Sequence, residues 1–154
     1  MLKGLDNRLT AEVLFVLRAM GHGDTLVVCD TNFPADSIAR QTVHGDLLRM
    51  DNLTCAQALK SILSVLPLDT FVDDFAGRME MVGDPATVPP VQAEVQVEID
   101  AAEGRPRPMV GIERFDFYDR AKQAYAVIQT GERRFYGCFI LRKGVIAPDE
   151  SVSP

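Results

Sequence analysis

TLVVC, residues 25–29, is an uninterrupted stretch of apolar and β-branched side chains, which reads as a strand covered on both faces. Such a strand belongs in a sheet layered between helices, so these residues point to an α/β fold. The segments on either side agree. Upstream, Val13, Val16, Leu17 and Met20 fall at i, i+3, i+4 and i+7, the spacing of one helical face. Thr10 suits the cap, Glu12 the first turn and Gly21 the end. Downstream, TCAQALKSILSVL (54–66) repeats the helical pattern through Ala58, Ile62 and Leu66, with Thr54 as its cap and Pro67 just beyond it.

Farther along, MEMV (79–82) reads as a short strand and GDPATVPP (83–90) as a turn. Residues 91–103 fit either a helix or a strand, because VQAEVQVEI alternates, and the local charge favours an exposed amphipathic helix. The last third gives a strand at MVGIER (109–114), a helix at FYDRAKQA (117–124) with Tyr118, Ala121 and Tyr125 on one side, and a strand at YAVIQT (125–130). A turn at GERR leads into a final strand within FYGCFILRKG (135–144). The expectation is a single layered α/β domain over residues 1–146, with a mostly parallel sheet flanked by helices. APDESVSP (147–154) reads as a flexible tail.

At 154 residues the chain suits one domain with a real core. Lys+Arg 16 against Asp+Glu 22 gives a net charge of -6, which disfavours nucleic acid and anionic membrane as partners and favours neutral or cationic small ligands. Cys29, Cys55 and Cys138 form no CxxC and no paired framework, the usage of a cytoplasmic protein with reduced thiols. No apolar run approaches the roughly 18 residues of a membrane-spanning helix.

For chemistry, MGHGDTLVVCD (20–30) is the informative stretch. An imidazole titrates at about pH 6.5 and can both take and give a proton. Gly21 and Gly23 leave the ring of His22 unscreened; the alternative is a surface histidine between a helix end and a turn. Asp30 follows a strand at the edge where open α/β sheets bind ligands, or serves as a turn residue before NFPAD. His22, Asp24 and Asp30 match no metal-ligand spacing, His44 stands alone, and no metal is expected. GxGxxG, GxxxxGK[ST] and GxSxG are all absent from the sequence. Arg114 and Tyr118 bracket RFDFY, suited to holding a polyhydroxylated ligand, with Phe115 and Phe117 expected in the core. Cys29 reads as a core residue and Cys138 as a weak redox candidate.

MLKGL (1–5), MGHGDTLVVCDTNFPADS (20–37) and IERFDFYDRAKQAYAVIQTGERRFYGCFILRKGV (112–145) together resemble the ribose pyranase and fucose mutarotase (RbsD/FucU-like) family, closer to its fucose branch. The resemblance implies a cytoplasmic enzyme assembled into a ring, commonly a decamer, that interconverts forms of free sugars without a cofactor. By the same resemblance His22 is the general acid, Asp30 and Arg114 bind the sugar, and Tyr136, Gly137 and Cys138 occupy a Tyr-Gly-Asn binding segment, with cysteine in place of the asparagine. Asp24 and Tyr118 stand as supporting candidates.

An extended strand rises about 3.3 Å per residue, which separates His22 from Asp30 by roughly 20 Å. One chain then does not complete the site, and neighbouring subunits share it; a local bend in residues 22–30 is the alternative. The expected activity is mutarotation of L-fucose or a related aldose, with a non-catalytic sugar-binding or transport-associated protein as the competing class and a thiol mechanism through Cys138 as a third.

Overall fold

The computed structural model describes residues 2–148, so most of the expected tail lies outside the described residues. The elements alternate as helix α1 (Ala11–Ala19), strand β1 (Thr25–Cys29), α2 (Ala35–Ala39), β2 (Leu47–Met50), α3 (Cys55–Leu63), β3 (Ala76–Met79), α4 (Pro90–Glu103), β4 (Val110–Ile112), α5 (Arg114–Lys122), β5 (Ala126–Thr130) and β6 (Phe139–Arg142). The strands form one sheet in the order β2-β5-β1-β6-β3-β4.

β1 is covered on both faces. Leu26 and Val28 enter one apolar cluster with Val13 and Val16 of α1, Leu59 and Ile62 of α3, and Val95 and Ile99 of α4. Val27 and Cys29 enter the other, with Ile38 of α2 and Phe117 and Ala121 of α5. Alternate side chains of a strand point to opposite faces, so a strand apolar at every position needs helices on both.

β1, β2 and β5 pair in parallel, as do β3 and β4, while β6 runs antiparallel between β1 and β3. The sheet is therefore mostly parallel with one reversed strand. The cause is the link from β5 to β6, residues 131–138, which is too short for the crossover that a parallel return requires. It hops over the end of β1, and this hop places Tyr136, Gly137 and Cys138 beside Asp30.

Several boundaries differ from the sequence expectation. The strand expected at residues 79–82 is Ala76–Met79, because Gly77 and Arg78 hide its start while the chain folds back beyond it at the Met81–Asp84 bridge. α5 begins at Arg114, with Glu113 capping the N–H groups of Phe115 and Asp116. Residues 90–103 are helical: Val91, Val95 and Ile99 are buried at helical spacing, whereas Val97 is 64% exposed. Phe117 is buried as expected, but Phe115 is 68% exposed and is not a core residue, since the helix turns it away from the sheet. α2 and β2 went unread because each is too short to show a period. Thr54 forms the expected cap, reinforced by a reciprocal bond from Gln57.

Gly131, just after β5, donates its N–H to Leu53 O at 2.9 Å, and a Cβ built there would overlap the backbone carbonyl of Asp51. Backbone cannot yield as a side chain can, so Gly131→Ala is expected to cost about 1–3 kcal/mol, read as a lower urea midpoint at unchanged m-value.

Candidate functional site

At the carboxyl end of β1, Asp30 is 2% exposed and spends its carboxylate on backbone. Oδ1 accepts from the N–H groups of Asn32 (2.8 Å) and Phe33 (3.0 Å), while Oδ2 accepts from Gly137 N–H (3.0 Å) and the Cys138 thiol (3.6 Å). Asp30 thus shapes the turn into α2, as one of its two readings expected, and it also faces a cavity. A side chain at Gly137 would be crowded, its Cβ 3.1 Å from Glu132 Cγ, 3.2 Å from Asp30 Cβ and 3.3 Å from Cys55 Sγ. Its contribution is the N–H itself.

The 131–138 loop is pinned along its length. The Glu132 side chain is only 4% exposed and accepts from Arg134 N, Nε and Nη2 at 2.8–3.0 Å. Arg134 also forks onto Glu94 of α4 at 2.7 and 2.8 Å. Among the described residues Tyr136 alone of the non-glycines has positive φ, at 64°, a backbone state that costs an L residue about 1–3 kcal/mol and persists only where its surroundings enforce it. Its phenol oxygen accepts from Val82 N–H at 3.2 Å.

Around Asp30 opens a cavity of about 220 Å³ lined by Asn32, Phe33, Met79, Arg114, Tyr118, Phe135, Tyr136 and Cys138. Because α5 starts at Arg114, Arg114 and Tyr118 stand one turn apart on the same helix face. Arg114 Nε donates to the Tyr118 hydroxyl at 3.1 Å, which raises the guanidinium pKa. Polar groups converging within aromatic walls are the general make-up of a small-ligand site. Asn32, Phe33, Met79 and Phe135 were missed in the sequence, and only the aromatic content of the segments hinted at two of them. Burial pushes the thiols of Cys29 and Cys138 up, and that of Cys55 up to about 12, so all three stay protonated and poorly nucleophilic.

His22 lies elsewhere, in the turn before the opposite end of β1. Asp24 accepts from Gly21 N–H at 2.7 Å, Gly23 takes φ 85°, and Gly23 and Asp24 both bond the backbone of Lys143 at 2.9 Å. Asp24 thus builds the turn that presents His22. The imidazole is 46% exposed and its Nε2 sits 3.1 Å from Oδ2 of Asp69, whose side chain is 4% exposed. The edge of the ring meets Phe71 at 5.8 Å. Asp69 is a functional candidate that sequence reading missed, since nothing in its local pattern joins it to a histidine 47 positions away. It is held in turn by Phe71 N–H on Oδ1 (3.0 Å) and by Arg107 Nη2 on its carbonyl (2.8 Å). Arg107 lies over Phe75 at 3.6 Å and pairs with Glu103 at the end of α4. A carboxylate can only accept, so Asp69 selects the tautomer with hydrogen on Nε2 and leaves Nδ1 free.

The structure thus gathers Asp30, Arg114, Tyr118, Tyr136, Gly137 and Cys138 at one end of the sheet and sets His22 and Asp24 at the other. There is no bend that brings the two ends together: residues 25–29 are a continuous strand.

Known proteins resemble this chain along nearly its whole length. The profile of the RbsD / FucU transport protein family matches residues 3–146. The fucose mutarotase of Homo sapiens is 45% identical over 150 residues, covering 95% of each chain. FucU from Bifidobacterium longum is 41% identical with a TM-score of 0.86, covering 94% of this chain and all of that one. The fucose mutarotase of Streptococcus pneumoniae, solved in complex with L-fucose, is 34% identical with a TM-score of 0.84, covering 95% of this chain and 100% of that one.

The bond to Arg134 holds the Glu132 carboxyl at about 2, below the usual 4.5. A depressed carboxyl pKa stabilises the fold above the unfolded value, and that contribution is lost as pH falls through the folded one. Unfolding midpoints in urea are therefore expected to drop between about pH 4.5 and 2, and Glu132→Gln is expected to flatten that part of the profile while lowering stability at neutral pH.

Proposed function

This chain belongs to the RbsD/FucU family, and we propose that it is a sugar mutarotase, interconverting the α and β anomers of free L-fucose or a related aldose. The observation that carries the reading is the His22–Asp69 pair, an accessible imidazole oriented by a buried carboxylate in a chain whose relatives are fucose mutarotases.

Ring opening needs the anomeric hydroxyl to lose a proton and the ring oxygen to gain one as the bond between C1 and the ring oxygen breaks. Rotation about C1–C2 and reclosure then give the other anomer. With Nε2–H committed to Asp69, Nδ1 of His22 takes the proton of the anomeric hydroxyl and passes it to the ring oxygen as the bond to C1 breaks, and closure runs the same transfer in reverse. Asp69 steadies the ring and the imidazolium.

Asp30, Arg114, Tyr118 and Tyr136 bind the sugar. Asp30 already accepts four contacts, filling the acceptor sites of a carboxylate. The weakest is the Cys138 thiol at 3.6 Å, and a sugar hydroxyl displaces it at least cost. Cys138 thereby tunes which sugar is accepted. A thiol mechanism has no support, because burial keeps the sulfur protonated.

The site is shared between subunits, the acid from one chain and the binding cavity from the next. This is supported by the absence of His22 from the residues lining the cavity. It is also supported by aromatic rings left in solvent at both ends: Phe71 beside His22, and Phe115 and Phe135 beside the cavity, are 72%, 68% and 73% exposed, a pattern that marks interaction surfaces. A closed ring, such as a ring-shaped decamer, joins such unlike faces head to tail. The domain spans residues 1–146, and three buried free cysteines fit a cytoplasmic location.

Magnetisation-exchange NMR between the anomeric protons of L-fucose, with D-ribose and D-galactose as comparisons, reads the activity directly. His22→Ala is expected to slow exchange by about 10²- to 10⁴-fold while sugar binding persists; unchanged exchange would leave a non-catalytic sugar-binding protein. Co-assembling His22→Ala chains with Asp30→Asn chains is expected to restore part of the rate that each variant alone has lost, whereas a site within one chain predicts no recovery.

A further inference from the structure

Gln92 is a fully buried polar residue in the first turn of α4, and both of its amide N–H donors are directed at the wall of the sugar cavity. Its Nε2 donates to the carbonyls of Met79 at 2.7 Å and Tyr136 at 2.9 Å, and its Oε1 accepts from Arg78 Nη1 at 3.1 Å. Both carbonyls belong to residues that line the cavity.

The orientation of this amide is fixed by chemistry. Carbonyls only accept and a guanidinium only donates, so turning the amide over would set like against like at all three contacts. Arg78 is braced in its turn by Pro85 O at 3.4 Å. The amide therefore ties the end of β3 to residue 136, where the backbone takes the left-handed conformation. Tyr136 is gripped twice, through its carbonyl by Gln92 and through its phenol oxygen by Val82 N–H. The phenol proton remains free to donate into the cavity.

We propose that Gln92, with its amide fixed by Arg78, is the positioning residue that holds Tyr136 in its left-handed backbone conformation and so sets where the phenol meets the sugar. The inference rests on the reading of the cavity as a sugar site. Gln92 touches no substrate and acts through Tyr136.

The test uses the full-length protein and its Gln92→Met, Arg78→Met and Tyr136→Phe variants, with anomer exchange of L-fucose and ¹⁹F NMR of protein labelled with 3-fluorotyrosine. The chain holds three tyrosines, and Tyr136→Phe assigns the resonance. Gln92→Met is expected to shift the Tyr136 signal, leave that of Tyr125 in place, and lower kcat by about ten- to a hundredfold. Arg78→Met acts in the same direction with a smaller effect. In the Tyr136→Phe background, Gln92→Met adds no further loss. Additive losses, or an unmoved Tyr136 resonance in folded Gln92→Met, would overturn the proposal. Should Gln92→Met not fold, Arg78→Met carries the same readouts. If Tyr136→Phe exchanges anomers like wild type, the sugar-site role of Tyr136 falls, while the ¹⁹F shift still decides whether Gln92 positions the ring.

Discussion

The buried carboxylate of Asp30 is the interaction on which the rest of the cavity depends. It sits where β1 ends, and the two N–H groups it accepts from Asn32 and Phe33 fix the turn into α2. The N–H of Gly137 then fastens a loop from more than a hundred residues later onto the same group. A carboxylate buried to this degree is tolerable only when its oxygens are satisfied. Removing it would leave three backbone donors without their acceptor, so position 30 holds the end of β1, the turn into α2 and the 131–138 loop together.

That loop exists because β6 runs against its neighbours. A fully parallel sheet would have sent the chain from β5 through a helix and back, far from the end of β1. The short reversal lays Tyr136, Gly137 and Cys138 across that end, and it returns the chain to the other end of β1, where Lys143 buttresses the turn carrying His22. Lys143 Nζ also donates to the carbonyls of Leu17 and Met20 at the end of α1, which secures the helix that leads into His22. One strand reversal thus furnishes both ends of the sheet.

What could be read from the sequence was whatever depends on local pattern. TLVVC announced a strand buried on both faces, the two capped helices followed their period, and the histidine between glycines and the aspartate after the strand stand at the two ends of that strand. Phe115 misled, because an aromatic beside a helix start has no local sign of which way the helix will turn it. α2, β2 and the start of β3 are too short or too glycine-rich to show a period. Asp69 and Gln92 were invisible for a deeper reason: each matters through a partner brought near only by tertiary folding, His22 in one case and Tyr136 in the other. The resemblance to a family supplied roles for residues that composition and spacing alone left open.

The helix α4 touches both ends of this arrangement. Its first turn carries Gln92, which grips Tyr136; its last turn carries Glu103, which pairs with the Arg107 that clamps the Asp69 loop beneath His22. At 14 residues it spans about 21 Å, running from the cavity end of the sheet to the His22 end. It is a strut with a fitting at each tip. Heat or strain that slackens this one helix loosens the grip on Tyr136 and on the loop beneath His22 together, so the two ends of the sheet share a single mechanical fate.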